Sequence, residues 1–186
     1  MGTTFSPMVW PSGQNNMGGY QNHVLFYPED YFTAEPAIGV VVDLDDNVTA
    51  TGAFTMVTGL KPIYVYATPN TVNFQSDSQG ETDGKSFVQK GEFFHPGNTK
   101  AVHAFASLIK NTPGRLVLVD SDGNQQLVGS EGHPVSIVAA FTGGKAAADQ
   151  RGFKFEFSSD SNLSAVFLET PIDFSAIKNG TTVVTP

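Results

Sequence analysis

The sequence predicts a mainly β fold: an antiparallel β-sandwich or barrel with one flanking α-helix over about residues 98–111. Three observations predict it. Short runs of branched and aromatic residues recur between clusters of Gly, Pro, Asn and Asp, as strands separated by turns do. Phenylalanine is over-used, at 15 residues, while strong helix formers are scarce. Only one segment carries a helical period. At 186 residues the chain is long enough for one well-buried domain. The expected organisation is an extended arm over 1–22, a single β domain over 23–178 and a tail over 179–186.

In the arm, Trp10-Pro11-Ser12-Gly13 and Met17-Gly18-Gly19-Tyr20 follow neither period, and alone they bury too little to order. If such an arm is ordered, something holds it: the chain's own body or a neighbouring subunit. His23 to Tyr27 reads as a strand ending at Pro28, and Glu29 to Ala37 as a loop with room for a helical turn. Ile38 to Val42 resumes β character, Asp43 to Val48 is an acidic turn, and Ala53 to Val57 is a further strand. Ile63 to Ala67 and Thr71 to Ser76 alternate. Gln79 to Ser86, polar with two glycines, is a hairpin tip or projecting loop.

The segment from Phe87 to Gly129 organises the rest: a strand, the helix, and a strand that turns back as a hairpin. Gly91 to Gly97 runs from a strand end into a turn at His95-Pro96-Gly97. Asn98 is the expected N-cap, and Val102, Phe105, Leu108 and Ile109 form the apolar stripe. Burying them is worth roughly 1.5–3 kcal/mol each, so the helix exists because it packs on a sheet rather than by propensity. Pro113 and Gly114 end it. Arg115 to Asp120 is a branched strand, and Asp122-Gly123-Asn124 turns it back into Gln125 to Gly129. Pro134 to Phe141 is another strand, Gly143 to Gln150 a small loop, and Gly152 to Ser158 alternates most cleanly, with three Phe in and Lys or Glu out. Val166 to Leu168 precedes a polar tail.

Composition limits the function classes. No run of about 18 apolar residues is present, so no membrane-spanning helix is expected. Met1 to Tyr20 has neither a basic start nor an apolar centre and does not read as a secretory signal. Without cysteine there is neither disulfide nor thiolate chemistry, which suits assembly in a reducing cytoplasm. A formal charge of −8 argues against gripping nucleic acid, and it is compatible with a surface past which nucleic acid slides.

Few residues suggest chemistry. Asp120, Asp122 and Asn124 at alternate positions, with Glu131 at the twelfth, resemble a calcium loop, but its required sixth-position glycine is Gln125 and the flanks read as strands. A hairpin explains the same residues, and whether the segment also takes a cation stays open. Asp43, Asp45 and Asp46 form a carboxylate cluster that no nearby ligand completes; a solvated turn is the better reading. His23, His95, His103 and His133 lie far apart, with His103 off the helical stripe and His95 and His133 each before a proline in a turn. Gly129-Ser130-Glu131-Gly132 is not a nucleophile elbow, and no phosphate loop or dinucleotide fingerprint occurs. No catalytic, cofactor-binding or metal-ligating residue is assigned, and the chain is read as non-enzymatic.

The order of these pieces, namely the Gln79-Gly80-Glu81 loop, Phe87–Phe94, His95-Pro96-Gly97-Asn98 and the helix, Asn111-Thr112-Pro113-Gly114, the Asp122-Gly123-Asn124 turn and Arg151 to Phe157, resembles structural proteins from tail modules of Bacteroidetes-infecting phages. The resemblance is to tail-tube-like (major tail) proteins in particular, spans roughly residues 20 to 175 and rests on layout and short phrases. It implies a virion structural subunit, assembled in the host cytoplasm, forming stacked hexameric rings whose strands line a lumen for DNA. Partners would be copies of itself, other tail proteins and transiently passing DNA, with no membrane. The arm at 1–22 and the loop at 77–86 would reach neighbouring subunits. Alternatives are another virion part, such as a connector or capsid decoration, or a β-sandwich that binds carbohydrate through exposed aromatics such as Trp10 and Tyr20.

Overall fold

Branched and aromatic runs do form the strands, and their alternation sets which face each side chain takes. A computed structural model of the chain describes residues 7–10, 12–13, 16–39 and 48–178. The strands are β1 (Tyr20–Pro28), β2 (Phe32–Ala34), β3 (Ala37–Ile38), β4 (Thr49–Thr51), β5 (Thr55–Met56), β6 (Ile63–Tyr66), β7 (Asn73–Gln79), β8 (Ser86–Pro96), β9 (Gly114–Asp120), β10 (Gln125–Val128), β11 (Ser136–Thr142), β12 (Gly152–Ser161) and β13 (Val166–Leu168). Two α-helices, α1 (Lys100–Ile109) and the short α2 (Phe174–Lys178), and a single 3₁₀ turn, Glu29–Tyr31, in the loop expected to have room for a helical turn, complete the described elements.

A seven-stranded sheet, ordered β3-β4-β13-β10-β9-β1-β6, packs against a four-stranded sheet, ordered β11-β12-β8-β7. Pairing is antiparallel throughout except between β13 and β4. The fold is mainly β, a sandwich with a flanking helix, as expected.

The core between the sheets takes Val24, Phe26, Leu116 and Leu118 from one sheet, and Phe93, Phe153, Phe155, Phe157 and Ile137 from the other. Their alternates, Leu25, Tyr27 and Val117, point the other way into a second core with Ala50, Phe54, Leu127, Val166 and Leu168. Strands β1 and β9 are therefore buried on both faces, which is why they read as continuous apolar runs. The second core is roofed by the two-stranded β2–β5 ribbon, where Phe54 stacks on Tyr27 at 4.0 Å, and by Phe174 and Ile177 of α2.

Helix α1 differs from expectation in three respects. It spans 100–109 rather than 98–111, and Thr99, not Asn98, is its N-cap, accepting from the Val102 N–H at 3.4 Å. Asn98 Oδ1 instead accepts from the His103 ring at Nε2, 2.7 Å away. Leu108 is 72% exposed, while Ala106 and Ile109 are buried, with Val102 and Phe105 packed beside them. At about 100° per residue, Leu108 lies one step around the helix from Ile109, outside the narrow stripe that a sheet can cover.

Other differences lie in the short elements. β1 begins at Tyr20, three residues before the expected start, and β8 continues through His95 and Pro96 because both pair with β12. The turn expected there begins at Gly97, which has φ +108°. β2 falls in a segment read as loop, β4 in the stretch between the expected 43–48 turn and 53–57 strand, and α2 in a segment read as tail. The acids Asp43, Asp45 and Asp46, Val40 to Val42 and the tail over 179–186 lie outside the described residues.

Candidate functional site

Among the described residues the four-stranded sheet is covered on one face only. Alternation places Phe153, Phe155 and Phe157 inward and Lys154, Glu156, Ser158 and Asp160 outward, and strand register sets their neighbours. Glu156 lies opposite Glu92, and Lys90 lies opposite Ser158 on one side and Gln75 on the other. The outward face thus carries four carboxylates, of Asp77, Glu92, Glu156 and Asp160, against the two ammonium groups of Lys90 and Lys154.

Both ammonium groups are engaged. Lys154 Nζ lies 2.8 Å from a carboxylate oxygen of Glu92 and 2.8 Å from one of Glu156, and Lys90 Nζ lies 2.6 Å from Asp77. Hydrogen bonds to Glu156 and then Glu92 hold the Lys154 ammonium above its ordinary range. These pairs are exposed and contribute little to stability. Their consequence is electrostatic: the face is acidic, and each of its lysines already has a carboxylate. At its two sides β7 and β11 end the sheet, with no further strand beside either among the described residues.

The arm reaches the fold at Gly18 and Gly19, whose carbonyl oxygens accept from Ser121 Oγ at 3.1 and 3.0 Å, while the Ser121 N–H donates to Gly19 O. Beyond this anchor Met8, Val9, Trp10 and Met17 are between 67% and 101% exposed. Tyr20 is not a second exposed aromatic. Its ring meets Phe74 edge-on at 6.3 Å, its hydroxyl donates to Gln126 Oε1 at 2.8 Å, and burial raises its pKa.

The remaining sequence candidates are separated. Asp120 closes the β9–β10 hairpin: its carboxylate accepts from the Asn124 N–H at 2.8 Å and from Asn124 Nδ2 at 2.9 Å, and Gly123 takes φ +92°. Ser130 and His133 bridge a tight turn. Among the described residues no three His, Asp or Glu come together as a metal site. His95 Nδ1 lies 2.7 Å from Tyr66 O, and His103 rests against Phe141 and Phe153. His23 lies between Tyr64 and Phe174, and burial, then the nearby Lys178, lowers its pKa. A shallow hollow of about 400 Å³ is lined by Gly123, Asn124, Gln125, Phe167, Leu168 and Pro171. No described helix is long and apolar enough to cross a membrane.

One buried charge escaped sequence reasoning. Arg115, on β9, is 1% exposed, with Nε 2.6 Å from Glu35 and Nη2 3.6 Å from Glu29. Its guanidinium also lies 5.7 Å from the centre of the Phe32 ring and donates to Gly114 O. It fastens the 29–35 segment over the second core. No protein-family model, curated protein or solved structure matches the chain.

Proposed function

We propose that this chain is a structural subunit that assembles with copies of itself, and that the assembly is a virion tail tube of stacked rings. The observation that carries self-assembly is the arm. Four large apolar side chains are held away from their own fold by an anchor at Gly18–Gly19. Covering them against a neighbour is worth roughly 1.5–3 kcal/mol each, set against an association cost of roughly 4–15 kcal/mol. One arm therefore gives a weak contact, and a closed ring, in which every copy gives and receives one, makes it effective.

The tube reading adds the resemblance of the sequence to tail-tube-like proteins, and the four-stranded sheet supports it. β11 and β7 run in opposite directions across the sheet. A neighbour's β7 beside β11 would continue the antiparallel pairing around a ring and use up both edges. The outward face would then line the lumen, where its carboxylates repel phosphate and its lysines are already paired.

Negative-stain electron microscopy of the full chain beside a variant lacking residues 1–17 tests the proposal; the deletion spares the Gly18–Gly19 anchor. Tubes or stacked rings from the full chain and their loss from the variant are expected. Isolated rings alone would favour a connector, and a persistent monomer in both would refute self-assembly.

A further inference from the structure

The four-stranded sheet has two unlike ends. At one end the β7–β8 hairpin tip carries Glu81 and Asp83, exposed, with Lys85. Asp160 on β12 lies at the same end, its carboxylate accepting from Gln79 Nε2, and the turn bearing Glu131 sits beside it, where His133 O accepts from Ser159 Oγ. Among the described residues, four carboxylates stand there against one ammonium without an ion pair, Lys85, since Lys90 and Asp77 neutralise each other.

At the other end, the β11–β12 loop carries Lys145 and Arg151, and Lys100 opens α1 beside Gly97, whose N–H donates to Arg151 O. All three cations are exposed, and none has an ion pair among the described residues. The one carboxylate of that loop, Asp149, is turned back into it to accept from the Lys145 and Ala146 N–H groups. The eleven residues of β8 separate the ends by roughly 35 Å at strand rise, several screening lengths at physiological salt. The ends do not neutralise each other within one copy.

We infer that the basic end, at Lys100, Lys145 and Arg151, docks on the acidic end, at Glu81, Asp83, Glu131 and Asp160, of a second copy, stacking the copies head to tail along the strand direction. The two surfaces differ, so the contact is heterologous and propagates instead of closing on itself. This rests on the self-assembly proposed above and adds the surface and polarity of stacking. Charge complementarity gives the contact its register and excludes head-to-head stacking, in which like charges would meet.

The test uses full chains carrying K145E/R151E, E81K/D83K, or all four substitutions, compared by electron microscopy and sedimentation in low salt. Every changed side chain is exposed, and circular dichroism verifies the fold. Each double variant should lose long stacks while keeping single rings, and the fourfold variant, with its charges exchanged, should recover them. An equimolar mixture of the two double variants should co-sediment in alternation. Wild-type stacks should shorten as salt rises from about 50 to about 500 mM, where screening is strong. Stacks of wild-type length from either double variant would overturn the docking surface and leave ring assembly standing. Failure of the fourfold variant to recover would overturn the complementarity. A wild-type chain that never associates would overturn both the inference and the function beneath it.

Discussion

Glu35→Ala should destabilise the fold more than removal of the cation that Glu35 serves. The Arg115 side chain is 1% exposed, and Glu35, at 2.6 Å, is its closest carboxylate. Removing one partner of a buried pair costs about 3–5 kcal/mol because the other charge is left without compensation. Two features reduce that figure. Glu29, at 3.6 Å, remains, and Glu35 is itself 22% exposed. The expected cost is about 2–3 kcal/mol, or roughly 4–12 °C of Tm for a chain of this size. Arg115→Met instead removes the cation and keeps an apolar stem over Phe32, while carboxylates that are 22% and 40% exposed rehydrate. Its cost should be smaller, about 1–2 kcal/mol. The assay is urea unfolding followed by far-UV circular dichroism. The single tryptophan, Trp10, is 67% exposed in the arm and reports poorly on the core. Two protein concentrations separate unfolding from dissociation. A Glu35→Ala midpoint equal to wild type, or a larger loss for Arg115→Met, would refute the reasoning.

Gly91→Ala should loosen β7 from β8, since a methyl group there runs into the Asn73 carbonyl and the Phe157 ring. A loss of about 1–3 kcal/mol is expected, with faster amide exchange in β7; unchanged exchange would refute it. Thr99→Ala should cost about 0.5–1 kcal/mol by uncapping α1, and more than Asn98→Ala, which leaves the cap in place; the reverse order in urea unfolding would restore Asn98 as the cap. The fold lowers the His23 pKa from 6.5, so the unfolded chain binds the proton first. Stability should decline as pH falls below about 6.5 towards the folded-state pKa, and the decline should be smaller in His23→Phe. Equal slopes for the two proteins would exclude His23 as its source.

What could be read from the sequence was whatever repeats locally. The Phe153, Phe155, Phe157 alternation gave the inward face of β12, and the unbroken Leu116-Val117-Leu118-Val119 run marked a branched strand, which the fold buries on both sides. The Asp122-Gly123-Asn124 turn was legible because its chemistry lies within four residues. The roof over the second core was legible only in part: β5 lies inside the strand expected over 53–57, but its partner β2 has three residues, too few to show a period, and so does β4 at the edge of the large sheet. Leu108 was misplaced because helical spacing defines a stripe only to within one residue on either side. The acidic face required register. Lys154 and Glu156 are neighbours in sequence, but Glu92 joins them only through β8–β12 pairing. Arg115 sat in a strand pattern with no local sign that Glu35, eighty residues earlier, would meet it.

Among the described residues the large sheet is covered on both faces by its own chain, whereas the small sheet leaves one face, two edges and two charged ends to solvent. If the chain assembles as proposed, stability and assembly should depend on different residues. Arg115, Glu35 and Gly91 lie in or against the cores and touch none of the surfaces assigned to a second copy. Met8, Val9, Trp10, Glu81, Asp83, Lys145 and Arg151 are exposed and carry little of the folding free energy. Substitution of the first group should move the unfolding midpoint of the dissociated chain and leave the shape of any assembled particle unchanged. Substitution of the second should leave the midpoint unchanged, with loss of all particles for the arm residues Met8, Val9 and Trp10, and loss of long stacks but not of single rings for Glu81, Asp83, Lys145 and Arg151. If arm or hairpin variants instead lowered the midpoint of the dissociated chain, those segments would be holding their own fold together, and the case for a second copy as their partner would fail.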